Sequence, residues 1–258
     1  VTLTGTSGGA VCAAIASSVD DPAKVLAEFW QEQCASTPVD VWLNFLAMHF
    51  SGLLSYLPPL ANPMQPAWSM RDMLTRHLQA PPQHCLIGAC DVLSGEFVVF
   101  RDENIGVEQL LASCTVPYLF PATEIDGAYY WDGLYSQNPP LADLFDLPQK
   151  PSEIWLIRID PKTRSELPVT TSAIEDRSKE LAYNNALEHE LKSIERINRW
   201  LGEGVPLPGY QPVTVRQIVL DLDLPNSSKL DRNPDFIAAL YGHGLTAAQS
   251  FLSSLNPT

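Results

Sequence analysis

Near the start of the chain a serine stands among glycines, Gly5-Thr6-Ser7-Gly8-Gly9, in a Gly-x-Ser-x-Gly pattern. Val1-Thr2-Leu3-Thr4 precedes it, and Ala10-Val11-Cys12-Ala13-Ala14-Ile15-Ala16 follows. The order reads as strand, sharp turn, helix. Such a turn lifts the serine out of its strand in a strained backbone conformation and aims Oγ at open space. Gly5 and Gly9 are expected where a Cβ would clash with the neighbouring strand and helix. A helix starting at the serine points free N–H groups and its positive dipole end at charge that forms there. The N–H of Gly8 is the natural first donor to an oxyanion. The same spacing also suits a strand-to-helix turn without chemistry.

A serine hydroxyl is a poor nucleophile until a base takes its proton. Five histidines are available: His49, His77, His84, His189 and His243. None has a motif around it. A Ser…Asp/Glu…His chain order leaves His189, on a charged helix, or His243, between Gly242 and Gly244. Asp132 is the other candidate base. It begins an Asp-Gly turn, with Gly133, directly after Tyr129-Tyr130-Trp131. Aromatic neighbours are expected to desolvate the carboxylate and raise its pKa, which makes it a better base. An Asp-Gly pair alone says little, since Asp126-Gly127 has the same form in a hairpin.

These residues need elements to hold them. Asp21-Pro22 marks a helix start, with Val25, Leu26, Phe29 and Trp30 as its apolar face. Residues 39–70 form a nearly uncharged apolar stretch broken by Pro58, Pro59, Pro63 and Pro66. One reading is a buried helix plus an irregular loop. The other is a mobile cover or an apolar contact surface. A short helix is expected over Arg71–Leu78, strands over His84–Val92 and Phe97–Phe100, and a helix over Val107–Cys114 stopped by Pro117. Ile154–Ile159 reads as a buried parallel strand. Residues 161–172 are rich in Pro, Ser and Thr, 173–201 carry an amphipathic helical pattern, 213–222 are strand-like, and Tyr241–Leu255 is a last helix. Alternating strands and helices indicate an α/β fold.

The 258 residues suffice for one large α/β domain or two small ones. A net charge of −14 argues against nucleic acid as a partner and against electrostatic docking to anionic membranes. The five cysteines lack CxxC spacing, and Cys85 and Cys90 face opposite ways in one strand, so free thiols are expected. That fits a reducing compartment. No apolar run reaches membrane-spanning length. Clustered metal ligands are missing from the pattern, and no cofactor is implied.

Taken together, several motifs resemble those of patatin-like phospholipases. Gly5-Thr6-Ser7-Gly8-Gly9-Ala10 is similar to the family's nucleophile elbow. Ala112-Ser113-Cys114-Thr115-Val116-Pro117-Tyr118-Leu119-Phe120-Pro121 is similar to the segment before its Asp-Gly turn. Tyr130-Trp131-Asp132-Gly133 resembles the turn carrying the family's aspartate, and Asn138-Pro139 its trailing Asn-Pro. Order and spacing agree over about residues 1–160, and residues 161–258 match no motif. Leu134 stands where the family often has a second glycine.

The resemblance implies a three-layer α/β/α fold with a largely parallel central sheet, as a single catalytic domain over residues 1–258. It implies a Ser-Asp dyad without histidine, with Ser7 as nucleophile and Asp132 as base. The expected reaction is acyl transfer from a lipid ester, followed by hydrolysis of the acyl-enzyme. Expected partners are a lipid ester and, transiently, a membrane or lipid-aggregate surface, in a cytoplasmic or peripheral-membrane setting. The family's Gly-rich oxyanion loop and its strand lie upstream of the serine. The expectation is therefore a longer polypeptide with a glycine-rich segment shortly before Val1, and an exposed strand edge without it. A Ser-His-Asp esterase using His243 or His189, and a non-catalytic lipid-binding relative, remain as alternatives.

Overall fold

The computed structural model describes residues 1–54, 67–117, 119–160, 162–222, 224 and 226–255. Tyr56, Leu57 and the four prolines of the apolar stretch lie outside them, as does Tyr118. The chain divides into two compact units, residues 1–140 with 227–237, and 141–226 with 238–258.

In the first unit β1 (Leu3–Thr6) leads through Ser7 into α1 (Gly8–Ala16), as the turn pattern requires. Small residues let α1 lie close on the sheet: Ala10, Ala13 and Ala14 are buried with Val11 and Ile15. α2 (Pro22–Glu32) has Asp21 as N-cap, its Oδ1 accepting the Lys24 N–H at 3.2 Å, and it buries Val25 and Phe29. α3 (Pro38–Leu54) is a helix, and of the two readings of this stretch its described side chains do not follow the buried one. Val39, Val41, Trp42 and Phe45 are exposed. Its polar side chains anchor it instead. Asn44 donates to Asp231 at 2.8 Å and accepts the Arg232 N–H at 2.8 Å. α4 (Ala67–His77) adds Met73 and Leu74 to the core.

β2 (Cys85–Asp91) is buried along most of its length. β3 (Phe97–Arg101), α5 (Val107–Ser113), β4 (Thr123–Ile125) and β5 (Ala128–Asp132) follow. The Asp126-Gly127 hairpin forms as read, with φ of 52° and 82°, the positive pair of a type I′ turn. The core joins α1, α2, α4, α5 and β2 through Ile15, Phe29, Leu74, Ile87 and Leu110. All five cysteines are free.

The sheet corrects one expectation. It is mixed rather than largely parallel. β1 runs parallel to β2, while β3 and β5 run antiparallel to β2 and β4 antiparallel to β5. Short hairpin connections force the β2–β3 and β4–β5 pairs to run antiparallel, because a parallel neighbour needs a long crossover, while β5 returns to β2 only after β3, α5 and β4. β3 pairs with Leu86–Cys90, so it fills one edge of β2. β1 pairs with Cys85–Gly88 and β5 with Ala89–Asp91, so these two share the other edge.

In the second unit β6 (Glu153–Arg158) and β7 (Thr214–Val219) form a parallel pair. β6 is not fully buried as its apolar run indicated. Ile154 and Leu156 are buried while Trp155 and Ile157 are exposed. α6 (Thr171–Gly202) begins at its N-cap Thr170 and buries Tyr183, Leu187, Leu191 and Ile194 on one face. Asn198 ties it to the strand entry, its side chain exchanging bonds of 2.7 and 2.9 Å with the Val213 backbone. α7 (Pro234–Leu255) begins in the first unit and continues in the second. Among the described residues no helix is long and apolar enough to cross a membrane.

Candidate active site

Ser7 occupies the left-handed half of backbone space, φ 57° and ψ −128°. A residue with a Cβ holds such a conformation only when its surroundings impose it. One cause is the close return of α1. A Cβ on Gly5 would sit 2.2 Å from the Gly9 carbonyl oxygen, so only glycine fits there. Gly9 does not share this need, since a Cβ built on it meets nothing within 4 Å. Close packing therefore requires glycine at the first motif position and not at the last.

The α1 ladder opens with the Ala10 and Val11 N–H groups, which donate to the Ser7 carbonyl at 2.9 and 3.2 Å. The N–H groups of Gly8 and Gly9 come ahead of it, in the first turn where helix donors have no partner in the helix. The Ser7 hydroxyl makes no capping bond to the helix.

Asp132 is the last residue of β5 and is fully buried. Its Oδ1 accepts the Leu134 N–H at 3.0 Å as the chain turns into a 3₁₀ segment, Gly133–Tyr135. Its backbone N–H donates to the Thr115 carbonyl at 2.9 Å. Gly133 presses against β2, where a Cβ would lie 2.7 Å from the Gly88 carbonyl oxygen.

The strand registers bring the two candidate residues to one place. Thr6 is paired with Gly88 and Asp132 with Ala89, consecutive residues on the same edge of β2. β1 and β5 run toward each other along that edge and stop where they meet. Ser7 follows directly from the end of β1.

Cys114 reports the same proximity. Burial pushes its thiol pKa up, and the fields of Asp132 and Cys12 add to this, while a side-chain hydrogen bond with Ser7 acts the other way. Ser7, Asp132 and Cys114 therefore belong to one cluster. In the sequence Ser113, Cys114 and Thr115 stand only within a motif, with no role of their own. Yet Ser113 is fully buried and its Oγ accepts the Ser7 N–H at 3.0 Å while donating to the Gly88 carbonyl at 2.7 Å.

The first unit's histidines make other contacts or face solvent. His77 lies 3.0 Å from Glu32 through Nε2 and edge-on to Phe29. His49 Nδ1 is 2.9 Å from the Phe45 carbonyl, and its ring stacks on Phe45. His84 is exposed. His189 on α6 is exposed and His243 on α7 half-buried, both in the second unit. Among the described residues no group of His, Cys, Asp and Glu could hold a metal ion.

A family model described as Patatin-like phospholipase matches residues 2–145, which includes Ser7, the 113–115 segment and Asp132. A search of curated proteins finds no match.

Proposed function

The chain belongs to the patatin-like phospholipase family, and from that premise we propose that it hydrolyses carboxylic esters of lipids through an acyl-enzyme on Ser7, with Asp132 as general base. The family supports lipid acyl hydrolysis at its own level.

In the proposed reaction the Asp132 carboxylate takes the Ser7 hydroxyl proton as Oγ attacks the ester carbonyl carbon. The carbonyl oxygen becomes an oxyanion facing the Gly8 N–H. As the tetrahedral species collapses, the bond to the leaving alcohol breaks and that oxygen receives the proton from Asp132. A water molecule then enters. Asp132 takes its proton, its oxygen attacks the acyl carbon, and Ser7 leaves with the proton restored. The substrate's apolar surroundings make a lipid interface the natural meeting place, and the exposed Val41, Trp42 and Phe45 of α3 support such a contact.

One observation carries the reading: the ends of β1 and β5 meet at Gly88 and Ala89 on one edge of β2. A fluorophosphonate probe with intact-mass readout tests it. The wild-type chain is expected to gain one adduct. Ser7→Ala and Asp132→Asn are expected to lose it, while His189→Ala and His243→Ala keep it. An adduct that survives Ser7→Ala, or one abolished by either histidine substitution, overturns the dyad.

A further inference from the structure

We propose that Ser113 is a positioning residue, whose buried hydroxyl fixes the Ser7 elbow to β2 and so sets the reach between Ser7 and Asp132. The inference rests on the reading of those two as the reacting pair.

Three consecutive residues at the end of α5 touch both sides of the candidate site. The Ser113 Oγ accepts the Ser7 N–H at 3.0 Å. The Cys114 thiol sits close enough to both Ser7 and Asp132 for each to act on its pKa. The Thr115 carbonyl accepts the Asp132 N–H at 2.9 Å. Ser113 does one thing more: it donates to the Gly88 carbonyl at 2.7 Å. That carbonyl is the group against which Gly133, the residue after Asp132, is pressed. One hydroxyl thus links the backbone of the nucleophile, the strand between the two half-sites and the surface on which the aspartate's turn rests.

The link has a physical task. Ser7 holds φ 57°, a conformation that relaxes unless its neighbours restrain it. Its N–H points to a fixed, fully buried acceptor whose own proton is committed to β2. Thr115 is fixed in turn, its Oγ1 donating to the Leu111 carbonyl at 2.7 Å and lying 2.6 Å from the Thr123 Oγ1. With both ends held by one short segment, rotation of the elbow is resisted on the scale that matters for proton transfer. Misplacement by about 1 Å lowers a rate by roughly 10²-fold.

The test compares wild type with Ser113→Ala in the full chain. Its readouts are p-nitrophenyl butyrate turnover, fluorophosphonate labelling rate and amide hydrogen exchange at Ser7. The expected result is a fall in kcat and in labelling rate of about 10–100-fold, with KM within about threefold and faster Ser7 exchange. A merely structural role lowers the folded fraction and leaves kcat per folded molecule unchanged. That result, or slowed turnover with Ser7 exchange unaltered, overturns the proposal. Should Ser113→Ala fail to fold, Ser113→Cys keeps the shape with weaker bonds and is held to the same criteria, at about 3–10-fold. An adduct forming equally fast in wild type and variant overturns this inference alone. A wild type that forms no adduct at Ser7 overturns the dyad reading and this inference with it.

Discussion

Thr6 and Asp132 close two strands that approach head to head along one edge of β2, paired with the adjacent residues Gly88 and Ala89. Ser7 and Asp132 are 125 positions apart in the chain, yet a single strand aligns them. Everything that holds β2 straight at Gly88 therefore bears on the site.

Gly5 and Gly9 should respond in opposite ways to the same methyl group. In Gly5→Ala the new Cβ meets the Gly9 carbonyl at 2.2 Å and the Ala10 nitrogen at 2.6 Å, both backbone atoms that cannot swing aside. The cost is about 3 kcal/mol or more, or a melting temperature lower by roughly 6–12 °C for a chain of this size. In Gly9→Ala the methyl meets open space, and the helix gains about 0.5–1 kcal/mol from the reduced freedom of the unfolded chain. Thermal unfolding followed by circular dichroism separates the two. Equal destabilisation contradicts the packing described for the elbow.

Gly133→Ala tests the other half of the site. Its Cβ would stand 2.7 Å from the Gly88 oxygen and 3.1 Å from the Ala89 nitrogen. The chain relieves this by moving away from β2, and Asp132 moves with it. We expect kcat toward a soluble ester to fall by about 10²-fold, with KM changed far less, because binding surfaces stay in place. Steady-state kinetics on the folded variant decide the matter.

The elbow and the aspartate's hairpin were legible in the sequence because each is a local pattern. Gly-x-Ser-x-Gly between a β-branched run and an alanine-rich one specifies a turn, and Asp126-Gly127 specifies a hairpin. The role of Ser113 was not legible. Its partners Ser7 and Gly88 lie 106 and 25 positions away, and no spacing rule encodes a bond across such loops. The mixed direction of the sheet was not legible for a related reason, since alternation of strands and helices says nothing about which edge a returning strand joins. For α3 composition left both a buried helix and an apolar contact surface open, because it does not show what holds the helix: Asn44 and Asp40 do, at Asp231 and Arg232, and leave Val41, Trp42 and Phe45 outward.

Stability is expected to decline on the alkaline side. Burial pushes the Cys85 thiol up to about 11, with the Asp102 charge adding to this and a hydrogen bond to Ser17 opposing it. The folded-state value exceeds the unfolded one, about 8.5. The contribution is therefore complete below about pH 8.5 and is lost as pH rises through 11. Urea unfolding at pH 8, 9, 10 and 11 should give a falling midpoint, and Cys85→Ala should flatten the fall while lowering stability at pH 8. An equal alkaline slope in the variant places the effect elsewhere.

The acid side belongs to Glu180 in the second unit. Burial alone would raise its pKa, but hydrogen bonds from Arg164 and Arg177 outweigh this and hold the carboxyl below its usual range. Arg164 reaches it through both Nε and Nη2, and Arg177 at 3.2 Å. The Glu180 side chain is almost inaccessible to solvent, so the pair is little screened. Here the folded value is depressed, and the sign reverses: the stabilisation is present above about pH 4.3, the unfolded value, and is lost as pH falls through the folded one. Glu180→Gln removes the charge and strands two arginines beside a neutral group, a loss of about 3–5 kcal/mol when a buried pair is broken from one side. Helical signal during urea unfolding at pH 7, 5, 4 and 3 reads it out. The wild type should exceed the variant clearly at pH 7 and 5, and the two should converge toward pH 3. A gap that stays constant across that range would mean that the carboxylate's charge contributes nothing and that only its shape is used.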